Sequence, residues 1–291
     1  MQSATTRGSQ MFRYVFFALM LVGLPVGAAA QDRTYDLEVD GNVETILVWD
    51  AEGEPRGTVL FGHGWGADPT NYERLLDAWT ALGFTIEAPR NLDSAKHPRN
   101  AALPTDFMAM NQAVVGQRMT TMMALRERAA EQGLPVVLSG HSFGAFVAMT
   151  QAEGKWAFGP LPGPKPAAVL TFSSPGAVPM LVSDASYATL DLPYMMVTGT
   201  QDASGTTMPT WEVHRFAFDR SPADDKYLLV VEDGGHNLVT FEDESLEAPV
   251  VEWTSRFLAA YALGDEEAEV ALGAEPMAER ISVERISVER R

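Results

Sequence analysis

Apolar positions between residues 31 and 264 follow two alternating periods. Residues 36–40 and 44–50 are short β-branched stretches on either side of Gly41-Asn42, a spacing that predicts a hairpin. Continuous apolar runs at 58–61, 84–88, 136–138, 167–172, 194–198 and 227–231, mostly bounded by Gly, Pro or Ser, predict buried strands. Between them the period lengthens. Residues 71–82 place Leu75, Leu76, Trp79 and Leu82 on one helical face. Residues 108–132 read as a long helix closed by Gly133 and Pro135, and 143–151 as a helix of small apolar residues. A further helix is expected at 208–218. The last, at 249–263, carries Val250, Phe257, Leu258 and Tyr261. Strands apolar on both faces and separated by helices predict an α/β architecture: a mostly parallel sheet of eight strands with helices on both faces. The connection 173–192 is short and rich in Pro and Ser, so no large lid is expected.

Both ends fall outside this pattern. Arg7 and Arg13 precede an apolar run at 14–26, then Ala28-Ala29-Ala30. A basic start, a short apolar stretch and a small-residue end form a secretory signal peptide over residues 1–30. The expectation is an exported protein, periplasmic or extracellular, with no stable membrane insertion after cleavage. The alternative is an N-terminal anchor, but the run is short against the roughly 20 residues of a spanning helix. Residues 265–291 are rich in acids and end in the tandem repeat 279–283 and 284–288. Few large apolar groups punctuate them, so a flexible acidic tail is expected, with a short docking helix as the alternative. The middle, 31–264, is then a single domain.

Composition narrows the chemistry. The 291 residues include no cysteine, which excludes disulfides, thiolate metal sites, a lipidated N-terminal Cys and a Cys nucleophile. A net charge of -18 disfavours nucleic acid and anionic membranes as partners. The sequence shows no metal-ligand cluster, phosphate loop or dinucleotide fingerprint, and no cofactor is expected.

The run Gly140-His141-Ser142-Phe143-Gly144 stands between an apolar strand and a small-residue helix. A serine hydroxyl reacts only when it is projected towards substrate and a base takes its proton. A tight strand-to-helix turn projects it, and small residues two positions either side make that turn possible. Of the five histidines, His236 follows the last strand in a Gly-rich turn at the sheet's carboxyl edge, and is the expected base. His141 is expected to point away from Ser142. His63 lies among glycines, His97 beside Pro98, and His214 within the helix expected at 208–218. Asp202 follows the strand at 194–198 and is the expected acid orienting the imidazole. Asp184 is the runner-up, and Asp233 is too near His236 in sequence to reach it. The developing oxyanion needs two N–H donors. Phe143 is expected to supply one. The loop Gly62-His63-Gly64-Trp65-Gly66 supplies the other, from Trp65 or else from Gly64 or Gly66.

These four segments together resemble the α/β-hydrolase superfamily over about residues 36–263. Within it the chain is similar to a bacterial serine-esterase branch that includes dienelactone hydrolase-like, chlorophyllase-like and polyester hydrolase-like enzymes. It departs from true dienelactone hydrolases, where the resemblance implies a Cys nucleophile, and from epoxide hydrolases and dehalogenases, where an Asp replaces Ser142. It also lacks the cysteines of many secreted polyester hydrolases. The resemblance implies an α/β-hydrolase fold and cleavage of a small-molecule or polymeric ester. An amidase or peptidase using the same residues, and a non-catalytic binding protein on the same fold, are the alternatives. Trp65 and Phe143 are expected to face substrate. Trp156, Trp211 and Met180 either join Phe143 in an apolar pocket or belong to the core.

Overall fold

The computed structural model describes residues 31–152, 154–159, 161–178, 181–205, 208–222, 224–273 and 286–291. The signal peptide expected at 1–30 and the first copy of the tail repeat lie outside the described residues.

The chain runs β1 (Arg33–Val39), β2 (Asn42–Trp49), β3 (Gly57–Gly62), α1 (Glu73–Thr80), β4 (Phe84–Pro89), α2 (Phe107–Ala130), β5 (Val136–His141), α3 (Phe143–Gln151), β6 (Ala168–Phe172) and β7 (Tyr194–Gln201). It continues through α4 (Phe216–Arg220), β8 (Lys226–Gly235), α5 (Glu247–Leu263), α6 (Glu266–Gly273) and β9 (Ile286–Arg290). All strands form one sheet in the order β1-β2-β4-β3-β5-β6-β7-β8-β9. The block from β4 to β8 is parallel; β1, β2 and β9 are antiparallel to their neighbours.

Alternation along the strands builds a core on each face. Phe61, Ile86, Val197 and Leu229 point to one side, where α1 brings Leu75, Leu76 and Trp79 and α5 brings Val250, Phe257 and Leu258. Leu60, Leu138, Val169 and Leu228 point to the other, under Met122 and Leu125 of α2 and Phe146 and Val147 of α3. The start of α2 is fixed by the Asp106 carboxylate, which accepts from the Ala109 N–H at 2.9 Å. Register places Gly62 opposite Gly140 and His141 opposite Phe172. The ends of β3, β5 and β6 are therefore level, and the loops that follow them meet at one edge.

Two expectations are corrected. The sheet has nine strands, because part of the expected flexible tail is ordered. β9 covers the edge of β8, with pairs from Val231↔Ile286 to Tyr227↔Arg290. Ile286 is buried, as is Leu272 of α6, and Glu289 bonds Arg215 at 2.7 Å. Average composition hid an Ile-Ser-Val alternation that suits an edge strand. The helix expected at 208–218 is instead a 3-10 turn at Trp211–Arg215 followed by the five-residue α4. Its tight winding accompanies an inward turn of His214, which is fully buried. The connection from β6 to β7 holds no helix among its described residues. No helix among the described residues is long and apolar enough to cross a membrane.

Candidate active site

Ser142 sits between β5 and α3 with φ 52° and ψ -119°. This backbone region is costly for a residue with a Cβ, by about 1–3 kcal/mol. Close packing enforces it. A Cβ on Gly144 would lie 2.0 Å from the Gly62 carbonyl oxygen, and one on Gly140 2.6 Å from the Gly144 carbonyl. The Ser142 N–H donates to Phe172 O at 2.9 Å, so the turn is also tied to β6. The side chain is thereby aimed out of the sheet edge.

His236 follows β8 and Asp202 follows β7. His236 Nε2 lies 2.9 Å from Ser142 Oγ, and His236 Nδ1 2.8 Å from Asp202 Oδ1. An ionised carboxylate can only accept, so Nδ1 carries the proton and the Nε2 lone pair faces the serine hydroxyl. Asp202 is buried and also accepts from Thr198 Oγ1 at 2.8 Å. Burial alone would raise its pKa, but hydrogen bonds from His214 and His236 outweigh it and hold the carboxyl well below its usual range. Asp184 does not reach the site: it is exposed and bonds Arg220 at 2.6 Å. The structure thus brings together Ser142, His236 and Asp202.

The loop after β3 distinguishes its three possible donors. The Gly64 N–H donates to Tyr72 Oη at 3.0 Å and the Gly66 N–H to Asp93 Oδ2 at 2.6 Å. The Trp65 N–H has no acceptor among the described residues, nor has the Phe143 N–H at the first position of α3. Two free donors from two loops remain beside Ser142, one at a helix N-terminus, where an anion is favoured.

Three further residues were not evident from the sequence. The first is His141, whose ring joins the loop of His236 to Tyr72. Its Nε2–H donates to His236 O at 2.6 Å, and its Nδ1 is 2.9 Å from Tyr72 Oη. Burial, the first cause, and the neighbouring His236 lower its pKa to about 4, so it is neutral. Tyr72 passes the link to Gly64, and the His236 backbone and the Trp65 loop are held by one chain of bonds.

Arg118 of α2 supports the same loop from behind. Its Nη1 donates to His63 O at 2.6 Å and its Nη2 to Gly64 O at 3.0 Å. Its Nε and Nη2 clasp Asp93 at 2.9 and 2.7 Å, and its guanidinium lies 5.0 Å from the Phe143 ring centroid. Burial works to raise the Asp93 pKa, but Arg118 more than offsets it and keeps the carboxylate charged. One side chain therefore touches both donor-bearing segments. Lysine keeps the charge but loses the planar fork. Arg118→Lys is expected to slow covalent labelling of Ser142 by a fluorophosphonate roughly 10- to 100-fold with the melting temperature little changed, as labelling kinetics and thermal unfolding will show.

The third residue is His214. Its Nδ1 lies 2.7 Å from Ser174 O, and its Nε2 3.0 Å from Asp202 Oδ1, off the line of an ideal hydrogen bond. Asp202, His214 and His236 offer ligand atoms all within 4.8 Å of one another, a grouping that their sequence spacing did not reveal. The same spacing suits a metal ion, but His236 Nδ1 and His214 Nδ1 already point at hydrogen-bond acceptors.

Beside Ser142 opens an apolar cavity of about 280 Å³, lined by Trp65, Phe143, Pro175, Val178 and Met208 among others. Trp65 meets Phe143 edge-to-face at 5.3 Å and is 42% exposed at the rim. Trp156 belongs to the core: it is buried against Tyr187 and Phe158. Trp211 packs against the same core and does not line the cavity. Met180 lies outside the described residues.

No family model and no curated protein matches the sequence. Solved structures do resemble the chain. A soluble variant of monoglyceride lipase from Saccharomyces cerevisiae, in complex with a substrate analogue, superposes with TM-score 0.62 at 14% identity, covering 82% of this chain and 99% of that one. A propionate-bound esterase from Thermogutta terrifontis gives TM-score 0.59 at 16% identity, covering 78% and 93%. An alpha-beta serine hydrolase homologue from Coxiella burnetii gives 0.58 at 17%, covering 80% and 100%. The chain has the α/β-hydrolase fold.

Proposed function

We propose that this protein is an exported serine hydrolase that cleaves carboxylic esters with short acyl groups. One observation carries the reading: the Ser142–His236–Asp202 series, at 2.9 and 2.8 Å, ends beside two unpaired backbone N–H groups. In the proposed reaction, Ser142 Oγ attacks the ester carbonyl carbon as His236 Nε2 takes its proton. The N–H groups of Trp65 and Phe143 receive the oxyanion. His236 then protonates the departing alkoxide, leaving an acyl group on Ser142. Water, deprotonated by His236, attacks that acyl carbon, and the proton returns to Ser142 as the acid leaves. Asp202 keeps the imidazole in its Nδ1–H form and stabilises the imidazolium.

The cavity supports the substrate class. Its volume of about 280 Å³ is at the small end for ligand pockets, and no charged side chain is among its lining residues. The fold neighbours from Thermogutta terrifontis and yeast, described as an esterase with propionate and a monoglyceride lipase, fit ester cleavage. The charge of -18 and the pattern at residues 1–30 suit a neutral substrate met outside the cytoplasm. A series of p-nitrophenyl esters from acetate to dodecanoate tests the proposal. The highest kcat/KM is expected between acetate and butyrate, with a fall of about tenfold by octanoate, since a longer chain overfills a cavity of this volume at a cost of about 1–3 kcal/mol. An optimum at dodecanoate contradicts the short-acyl assignment.

A further inference from the structure

His214 is fully buried; its Nδ1 faces the Ser174 carbonyl, and its Nε2 lies 3.0 Å from Asp202 Oδ1, off the line of an ideal hydrogen bond. The Ser174 carbonyl can only accept, so Nδ1 is protonated. A neutral ring would then turn its Nε2 lone pair towards Asp202 Oδ1 at 3.0 Å, an unfavourable contact with a carboxylate. Protonating Asp202 instead does not serve, because its oxygens already accept from Thr198 and His236. We propose that His214 is held as an imidazolium and is a positioning residue, which fixes Asp202 and shares its negative charge with His236. The proposal rests on the reading of Ser142, His236 and Asp202 as the reacting series.

The surroundings of His214 agree. From the end of β7 it meets Asp202, from the end of β6 the Ser174 carbonyl, and from the end of β8 the His236 ring, stacked at 6.0 Å between centroids. His141 of β5 is near enough for His214 to lower its pKa further. On its own turn, Arg215 is directed to Glu289 and Asp219, and Glu212 is at the surface. Asp202 is thus the carboxylate that faces His214. Burial opposes the charge, but Asp202 and the Ser174 carbonyl outweigh burial and raise the His214 pKa.

Two consequences follow. Asp202 is placed by two imidazoles and a threonine, so its orientation does not depend on His236 alone. A cation behind Asp202 also weakens the pull of that carboxylate on the His236 ring. The stability that His214 contributes is fully present below its unfolded pKa, about 6.5. It is lost as pH rises through the raised folded value.

The test uses the full protein and two kinds of readout. A long-range ¹H–¹⁵N spectrum of the wild-type imidazoles at pH 7 is expected to show both His214 nitrogens protonated. A neutral His214 tautomer there overturns the proposal. This reading is independent of catalysis, so it stands apart from any failure of the ester assignment. The pH dependence of kcat/KM is then compared with that of His214→Gln, which keeps a donor without charge, and His214→Leu, which keeps neither. In His214→Gln the acid limb is expected to move up by about one pH unit, because Asp202 then acts on His236 alone. In His214→Leu kcat/KM is expected to fall about tenfold or more as well. A purely structural His214 lowers the melting temperature but leaves the acid limb in place, and that result contradicts the proposal. EDTA is expected to change neither spectrum nor rate. A chelator-sensitive rate with loss of the Nε2 proton signal would assign the cluster to a metal ion instead.

Discussion

Ser142→Ala is expected to lower kcat for ester hydrolysis by about 10⁴- to 10⁶-fold while the protein remains folded. The loss is large because, in the proposed reaction, Oγ is the atom that forms the acyl bond, and no neighbouring side chain takes its place. The fold is retained because the elbow depends on backbone packing. Ser142 N–H still meets Phe172 O, and Gly140 and Gly144 still fit against Gly62. His236→Ala is expected to cost about as much, since a hydroxyl without a base is a poor nucleophile. The double variant is expected to lose little beyond either single one, because the two residues act as a unit. Initial rates on p-nitrophenyl butyrate, beside thermal unfolding of each variant, check both halves. An Ala variant that retains a tenth of wild-type kcat would remove Ser142 from the reaction.

The second large effect is on stability. Gly144→Ala puts a Cβ 2.0 Å from Gly62 O and 2.7 Å from His63 O. Both obstacles are backbone of β3 and the loop it feeds, and β3 is held between β4 and β5. Neither can rotate away as a side chain does, so α3 must separate from β3. Overpacking a well-packed site typically costs 1–3 kcal/mol, and a backbone-to-backbone clash is expected at or above the top of that range, about 3 kcal/mol. Urea unfolding will show this as a lower midpoint at similar slope. Gly66→Ala serves as the contrast: a Cβ there meets nothing within 4 Å, so only its φ of 71° carries a cost. If the two variants unfold together, the packing account of the elbow is wrong.

The parts of the site that could be read from sequence are those with local causes. The Ser142 elbow is specified by five consecutive residues between a strand and a helix. Asp202 and His236 stand out because each follows an apolar strand, and parallel strands deliver their carboxyl ends to one edge. The choice among Gly64, Trp65 and Gly66 was not legible. It depends on Tyr72 and Asp93 occupying two of the three N–H groups, and each partner comes from a later segment. Arg118 lies 25 residues from Asp93 and 55 from His63, so no spacing rule joins them. By sequence, His214 lies on a helix at 208–218, whereas the chain forms a 3-10 turn there. The inward turn of His214 arises from Asp202 and Ser174, in different loops. β9 is not legible because charge dominates residues 265–291, while the edge of β8 needs only a short alternating apolar pair.

The network behind the site explains how a rigid sheet edge holds parts from four loops. Tyr72, His141 and the His236 carbonyl form one line of bonds; Arg118 and Asp93 form another; Thr198, Asp202 and His214 form a third. Each ties a donor or proton-carrying group to a buried residue on a strand or helix. Preorganisation of this kind lets N–H groups meet a developing oxyanion without rearrangement.

The central claim is that Ser142 is a nucleophile activated by His236, and covalent capture tests it most directly. The protein is treated with a fluorophosphonate, and the adduct is mapped by peptide mass spectrometry. The account predicts a single adduct on Ser142, absent from Ser142→Ala and formed far more slowly in His236→Ala. Equal labelling of Ser142→Ala, or an unlabelled wild-type protein, would contradict it.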